Sequence, residues 1–298
     1  MAKTSISQVF HSAYDWLRPR PPAPPAPPVA STSRVGRNLP AAITTAVILL
    51  SLFGLTLFFW VDGFILVGVI FLSIALWEAA GAFLTRNVHI PLLALFPIQL
   101  LMLFLTAYRG IVPALISYLL GSGLLLAIAL IRKNGNLQGT AAGVFMLGWI
   151  GLAGCFLLSM LDLPGGSHLI VAAILLTVAS DTGGWLLGIL IGKHPILPRI
   201  SPKKSWEGLL GSLLLCLLAA FLGIFLLLGK SWSWVLVFAF LTPPLATMGD
   251  FAESALKRDL GIKDMGTIFP GHGGMLDRLD SLLFCAPVFY CLFLFMQH

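Results

Sequence analysis

The residues able to do chemistry crowd into one stretch: ten of the chain's 30 Lys, Arg, Asp and Glu residues fall between positions 249 and 281. On a helix, the i, i+4, i+7, i+8 rule puts Asp250, Ser254, Lys257 and Arg258 on one face. The i, i+3, i+4 rule does the same for Asp277, Asp280 and Ser281. Between them, Gly271-His272-Gly273-Gly274 is a turn whose backbone N–H groups can nest an anion. Three carboxylates entering one site (Asp250, Asp277, Asp280) repel unless a cation lies between them. Magnesium is the first choice, because hard cations take oxygen ligands and bridge to phosphates. A second cation roughly 3.5–4 Å away would clamp both the attacking and the leaving oxygen. The lysines and arginines would bind the remaining phosphate charge. The pattern points to phosphoryl or nucleotidyl transfer. The plainer alternative is a salt-bridge network that only fixes helix ends.

Two further constellations lie upstream. Ser180-Asp181-Thr182-Gly183-Gly184 sits inside an apolar stretch, where a carboxylate at mid-membrane costs roughly 2.5–3.5 kcal/mol. Asp181 should therefore face a polar cavity, and the Gly pair could break or kink the helix. The alternative is a helix-packing site in which a hydroxyl satisfies Asp181. Farther on, Ser201-Pro202-Lys203-Lys204-Ser205-Trp206-Glu207-Gly208 opens with a proline that forbids a regular helix. Ser205 is placed to cap the helix that follows, without a capping box. Paired lysines beside a helix start suit anion binding, or they anchor the loop to lipid headgroups.

What must position these residues is a membrane bundle. Of 298 residues, 58% are hydrophobic and 10% charged, and mean hydropathy is +0.96; a soluble domain carries about 25% charged residues. Stretches of roughly 20 apolar residues are long enough to span a bilayer. Nine are expected, near 41–60, 63–84, 90–107, 110–131, 139–161, 169–192, 207–229, 232–249 and 281–297. The fold class is thus all-α, a polytopic membrane protein. Nine spans leave all but two of the 18 Lys and Arg on one side, the exceptions being Arg109 and Lys230. The positive-inside rule then puts the N-terminus in the cytoplasm and the C-terminus outside. All the polar loops fall on the cytoplasmic face of a cell (inner) membrane, where nucleotides are found. No signal-peptide cleavage pattern precedes the first span. Residues 1–36 read as a cytoplasmic tail with a stiff Pro-rich spacer at 19–28, 37–168 as spans one to five, and 169–298 as the catalytic spans six to nine. The four cysteines fall in apolar spans at spacings that match no zinc pattern.

The motifs resemble those of the phosphatidate cytidylyltransferases, or CDP-diacylglycerol synthases. The resemblance is carried by Ser254, Lys257, Arg258, Lys263, Asp264, Gly266, Ile268, Pro270, Gly271, His272, Gly273, Gly274, Asp277, Arg278 and Asp280, with Gly249-Asp250, the Ile200–Gly208 run and Asp181-Thr182-Gly183. It is strong over about residues 178–285; Trp77-Glu78 is a weaker likeness. Ile189 stands where the family often has an arginine, Gly184 where it has alanine, and the Pro-rich tail is not a family feature.

The resemblance implies joining of CTP to phosphatidate, giving CDP-diacylglycerol and pyrophosphate. It implies Asp181, Lys203, Lys204, Lys257, Arg258, His272 and Arg278 as catalytic residues. Ser201, Ser205, Ser254, Lys263, Asp264, Gly271, Gly273 and Gly274 would bind nucleotide, and Asp250, Asp277 and Asp280 magnesium. Acyl chains would stay in the bilayer. A nucleic-acid partner is not expected, and a homodimer is left open. The rivals are a CTP-dependent polyprenol or phytol kinase and, in another class, a secondary transporter using Asp181 as a coupling-ion site.

Overall fold

The computed structural model describes residues 19–22, 48, 51–132, 135–268 and 273–297. Among them are eight helices long and apolar enough to cross a membrane: α1 (Val61–Arg86), α2 (Leu92–Arg109), α3 (Ile111–Ile131), α4 (Leu137–Asp162), α5 (Gly166–Ile191), α6 (Trp206–Leu227), α7 (Trp232–Leu260) and α8 (Leu276–Gln297). In lipid the backbone must satisfy its own polar groups, and a continuous helix does so. Pro97, Pro243, Pro244 and Pro287 lie within these helices, as bundle packing permits in a membrane.

The eight helices correspond to expected spans two to nine. The expected first span lies mainly outside the described residues. Its end, 51–59, is helical, with Phe53 edge-on to Phe64 of α1. Residues 1–18 of the tail, where the spacing of Ile6, Val9, Phe10, Ala13 and Leu17 allows either a short interfacial helix or an unstructured segment, also lie outside them.

Side-chain contacts sort the connections onto two faces. On one, Arg86 reaches the Asp259 carbonyl and Asn136 reaches the His89 carbonyl. On the other, Gln297 reaches the Pro164 carbonyl and Lys230 the Met296 carbonyl.

Three features of the bundle shape the site. First, α7 extends past the expected end of its span, through Asp250, Lys257 and Arg258, and stops at Gly261. Gly261 has φ 72°, and the Ile262 N–H bonds back to the Lys257 carbonyl, a left-handed helix stop that favours glycine. Second, Phe238 of α7 packs against Phe289 and Phe293 of α8, all three fully buried. This locks the two acid-bearing helices together.

Third, α5 and α6 touch backbone to backbone. A Cβ on Gly183 would lie 2.3 Å from the Gly211 carbonyl oxygen, and one on Gly211 would lie 2.3 Å from that of Gly183. The Gly183-Gly184 pair does not break α5, which runs continuously through it. The glycines remove side chains so that two helices can meet, the small-residue packing of membrane bundles. The Pro-containing loop after α5 is an antiparallel hairpin of β1 (Pro195–Leu197) and β2 (Ser201–Ser205). Glu207 ties its base by accepting from the Lys193 and His194 N–H groups at 3.1 and 3.2 Å.

Candidate active site

The hairpin folds over the loop-facing ends of α5, α6 and α7 and encloses a cavity of about 290 Å³. Ser180, Asp181 and Trp185 come from α5, Ser201, Lys203, Lys204 and Ser205 from β2, and Thr247 and Asp250 from α7. The local reasons are simple. Pro202 keeps the chain extended, so both lysines stay on a strand. Ser205 then starts α6 by accepting the Gly208 N–H at 3.1 Å, the cap its position predicts.

The acids gather around two lysines. In the first group Lys204 pairs with Asp250 and stands over the Phe251 ring, 5.7 Å from its centroid. The Ser281 hydroxyl lies 2.9 Å from Asp250 Oδ1 and 3.3 Å from Asp181 Oδ1. It thereby links α5, α7 and α8 at one point. Asp280 is buried beside them. Burial pulls the Lys204 ammonium below the usual lysine range, with Asp181 and Asp280 acting in the opposite direction.

In the second group Lys257 bonds Glu253 at 2.5 Å and Asp277 Oδ1 at 2.7 Å. Asp277 Oδ2 accepts the Gly274 N–H at 2.7 Å and the Met265 N–H at 2.9 Å. Glu253, buried and one turn beyond Asp250, bonds Lys257 through Oε2 and lies between the two groups on α7.

The structure thus brings Asp181, Lys204, Asp250, Asp280 and Ser281 together, with Ser201, Lys203 and Ser205 on the cavity wall. Lys257 and Asp277 form the adjoining group, and Asp264 and Gly273 lie beside Asp277. Arg258 reaches outward to the Ile200 carbonyl at 3.5 Å and braces the hairpin. Lys263 and Arg278 are on the exposed surface, and Ser254 is half-buried outside the cavity wall. Gly271 and His272 lie outside the described residues. The space a Cβ would fill at Gly273 and Gly274 is taken by the carboxylates of Asp277 and Glu78.

Glu253 and Glu78 are the site acids to which sequence reasoning assigned no role. Glu253 was legible as the i−4 neighbour of Lys257. Glu78 was legible as an ionisable residue inside an apolar span.

Among the described residues, no three His, Cys, Asp or Glu side chains close around a metal ion as they stand. The chemistry of the donors nevertheless fits a hard cation. It consists of oxygens alone, and a positive charge, the Lys204 ammonium, already sits among Asp181, Asp250 and Asp280.

A membrane-spanning helical bundle with acids and lysines gathered under a basic hairpin is the architecture of an integral-membrane nucleotidyltransferase. The chain belongs to the Cytidylyltransferase family, whose profile matches residues 40–296. It is 35% identical over 285 residues to the phosphatidate cytidylyltransferase of Mycobacterium leprae, covering 87% of this chain and 88% of that relative. The enzyme of the same name from Mycobacterium bovis is 45% identical over 149 residues, 49% of this chain and 48% of its own. That of Helicobacter pylori is 45% identical over 133 residues, covering 44% and 49%.

Proposed function

We propose that this enzyme transfers the cytidylyl group of CTP to phosphatidate, forming CDP-diacylglycerol and releasing pyrophosphate. The names of its relatives supply the substrates. The observation that carries the mechanism is the gathering of Asp181, Asp250 and Asp280 about Lys204 beneath the hairpin.

A phosphate oxygen of the lipid attacks the α-phosphorus of CTP in line. One P–O bond forms to the lipid oxygen, the α–β bridging P–O bond breaks, and pyrophosphate leaves with the bridging oxygen. The attacking phosphate needs no general base, so catalysis is positioning and charge neutralisation. Lys203 and Lys204 receive the triphosphate from the hairpin, and Lys257 holds Asp277 against α7. A magnesium ion held by Asp250 and Asp280, with Asp277 one turn away, would neutralise charge on the transferring phosphates. The diacyl chains remain in the bilayer. The basic loops support a catalytic face turned to the cytoplasm, with the enzyme in the inner membrane.

The test is incubation of purified protein with α-labelled CTP, phosphatidate and magnesium. Label in a lipid-linked CMP with stoichiometric pyrophosphate is expected. Release of CDP would mean γ-phosphate transfer to another acceptor and would overturn the reading.

A further inference from the structure

The last two turns of α1, in the N-terminal half of the chain, hold both ends of the segment joining α7 to α8. At its start, the Thr85 hydroxyl donates to the Leu260 carbonyl at 3.0 Å, and Arg86 Nε donates to the Asp259 carbonyl at 2.9 Å. At its end, Glu78 Oε2 accepts the N–H groups of Met275 at 2.5 Å and Leu276 at 3.4 Å.

Glu78 is 3% exposed. A carboxylate in so dry a place requires partners, and its Oε2 finds them in the N–H groups that a helix start leaves open, at the positive end of the α8 dipole, while Oε1 makes no hydrogen bond among the described residues. It acts as a cap supplied from a distant helix. The glycines around it are cut to fit. A Cβ on Gly266 would lie 2.0 Å from Glu78 Oε1, and one on Gly274 would lie 2.4 Å from Oε2. Neither residue has a positive φ, so the backbone conformation does not demand glycine at either place. The space for Glu78 does.

We propose that Glu78 is a positioning residue for the reaction: by fixing the backbone at residues 274–276 it aims Asp277, and one turn on Asp280, into the site. Asp277 grips the Gly274 and Met265 N–H groups. The two carboxylates therefore hold adjacent residues of one short piece of backbone, and loss of Glu78 leaves Asp277 alone to hold it.

The activity arm of the test rests on the functional reading above; the structural arm does not. Glu78→Ala and Glu78→Gln are prepared as full-length protein in nanodiscs. Amide hydrogen exchange is followed by mass spectrometry, with pyrophosphate release in parallel. In Glu78→Ala, exchange at 273–278 should quicken on the order of tenfold or more, as for loss of a charge-assisted bond. The β1–β2 hairpin and α5 should keep wild-type rates. kcat should fall by a similar factor with little change in KM for CTP, and Glu78→Gln, which retains one acceptor oxygen, should recover part of both.

Gly266→Ala approaches from the other partner and serves even where Glu78→Ala fails to fold. It should reproduce the local loosening, and the double variant should be no worse than Glu78→Ala alone, because the added methyl then has no carboxylate to meet. Unchanged exchange in Gly266→Ala, loosening spread evenly over all helices, or lost activity with a wild-type loop would each overturn the proposal. A silent wild type would sink the functional reading instead, whereas an active wild type with an equally active Glu78→Ala would sink this one.

Discussion

Lys203 and Lys204 are adjacent in sequence but unequal in place. Lys204 is drawn in among Asp181, Asp250 and Asp280, whereas Lys203 is exposed on the hairpin. A preorganised charge in a desolvated site is worth far more than one on a solvated surface. Lys204→Ala should therefore lower kcat/KM on the order of 10²–10³-fold, and Lys203→Ala less than about tenfold, measured on purified protein with CTP varied. Unchanged kinetics in both variants would return the lysines to a lipid-anchoring role, and equal large losses would remove the distinction between them. The charge state offers a second check. Lys204 works protonated, and burial lowers its pKa from the ordinary lysine value. The kcat/KM profile should thus turn down at a lower pH than a free lysine would dictate, and Lys204→Arg should move that limb upward. At this scale much was legible in the sequence, because ionisable side chains in greasy surroundings advertise a purpose. Asp181 and Asp250 stand out in that way. Glu78 carries the same signal, yet spacing ties it to nothing, since its partners lie 197 and 198 residues downstream.

Helices were the most readable elements and the contacts between them the least. Runs of apolar residues set most span ends to within a few positions, because a bilayer fixes the length that must be covered; α7 runs on beyond its apolar stretch to Leu260. The hairpin could be foreseen only as a stretch that is not helix. The same limit applies to Gly183-Gly184: a glycine pair in an apolar run is compatible with a kink or with close packing, and the neighbouring helix decides. Here α6 decides for packing, and Ser212 adds a 2.6 Å bond to the Ser180 carbonyl beside Asp181. This seam is the back wall of the cavity. Gly211→Val should separate the helices, lowering stability by about 1–3 kcal/mol and weakening CTP turnover at temperatures where the protein remains folded. Gly123, with open space where its Cβ would point, is the control: Gly123→Ala should stay within ~0.5 kcal/mol of wild type. Thermal unfolding in detergent compares the two. A Gly211→Val variant as stable as Gly123→Ala would mean that the seam has slack.

Taken whole, the described residues form one bundle in which the first four helices brace the last four. Phe156 of α4 packs against Tyr290 of α8 at 5.7 Å between ring centroids, and α1 secures the segment between α7 and α8. Its proposed direction in the membrane is argued from charge. Among the described residues, Arg109 and Lys230 are the Lys and Arg on the face opposite the site, and the proposed orientation rests on the tendency of lysine- and arginine-rich loops to stay on the cytoplasmic side. Orientation matters to function because the cavity must open where nucleoside triphosphate is made. It can be tested in intact cells with a membrane-impermeant thiol reagent. Cys291 is exposed, and the other three cysteines are buried; replacing all four with alanine or serine gives a silent background. Lys230→Cys in that background should label without lysis. Lys203→Cys should label only after the membrane is opened, and CTP added to the opened membranes should slow its labelling because the hairpin then covers the triphosphate. Labelling of Lys203→Cys in sealed cells would place the site outside and leave the enzyme cut off from its proposed nucleotide.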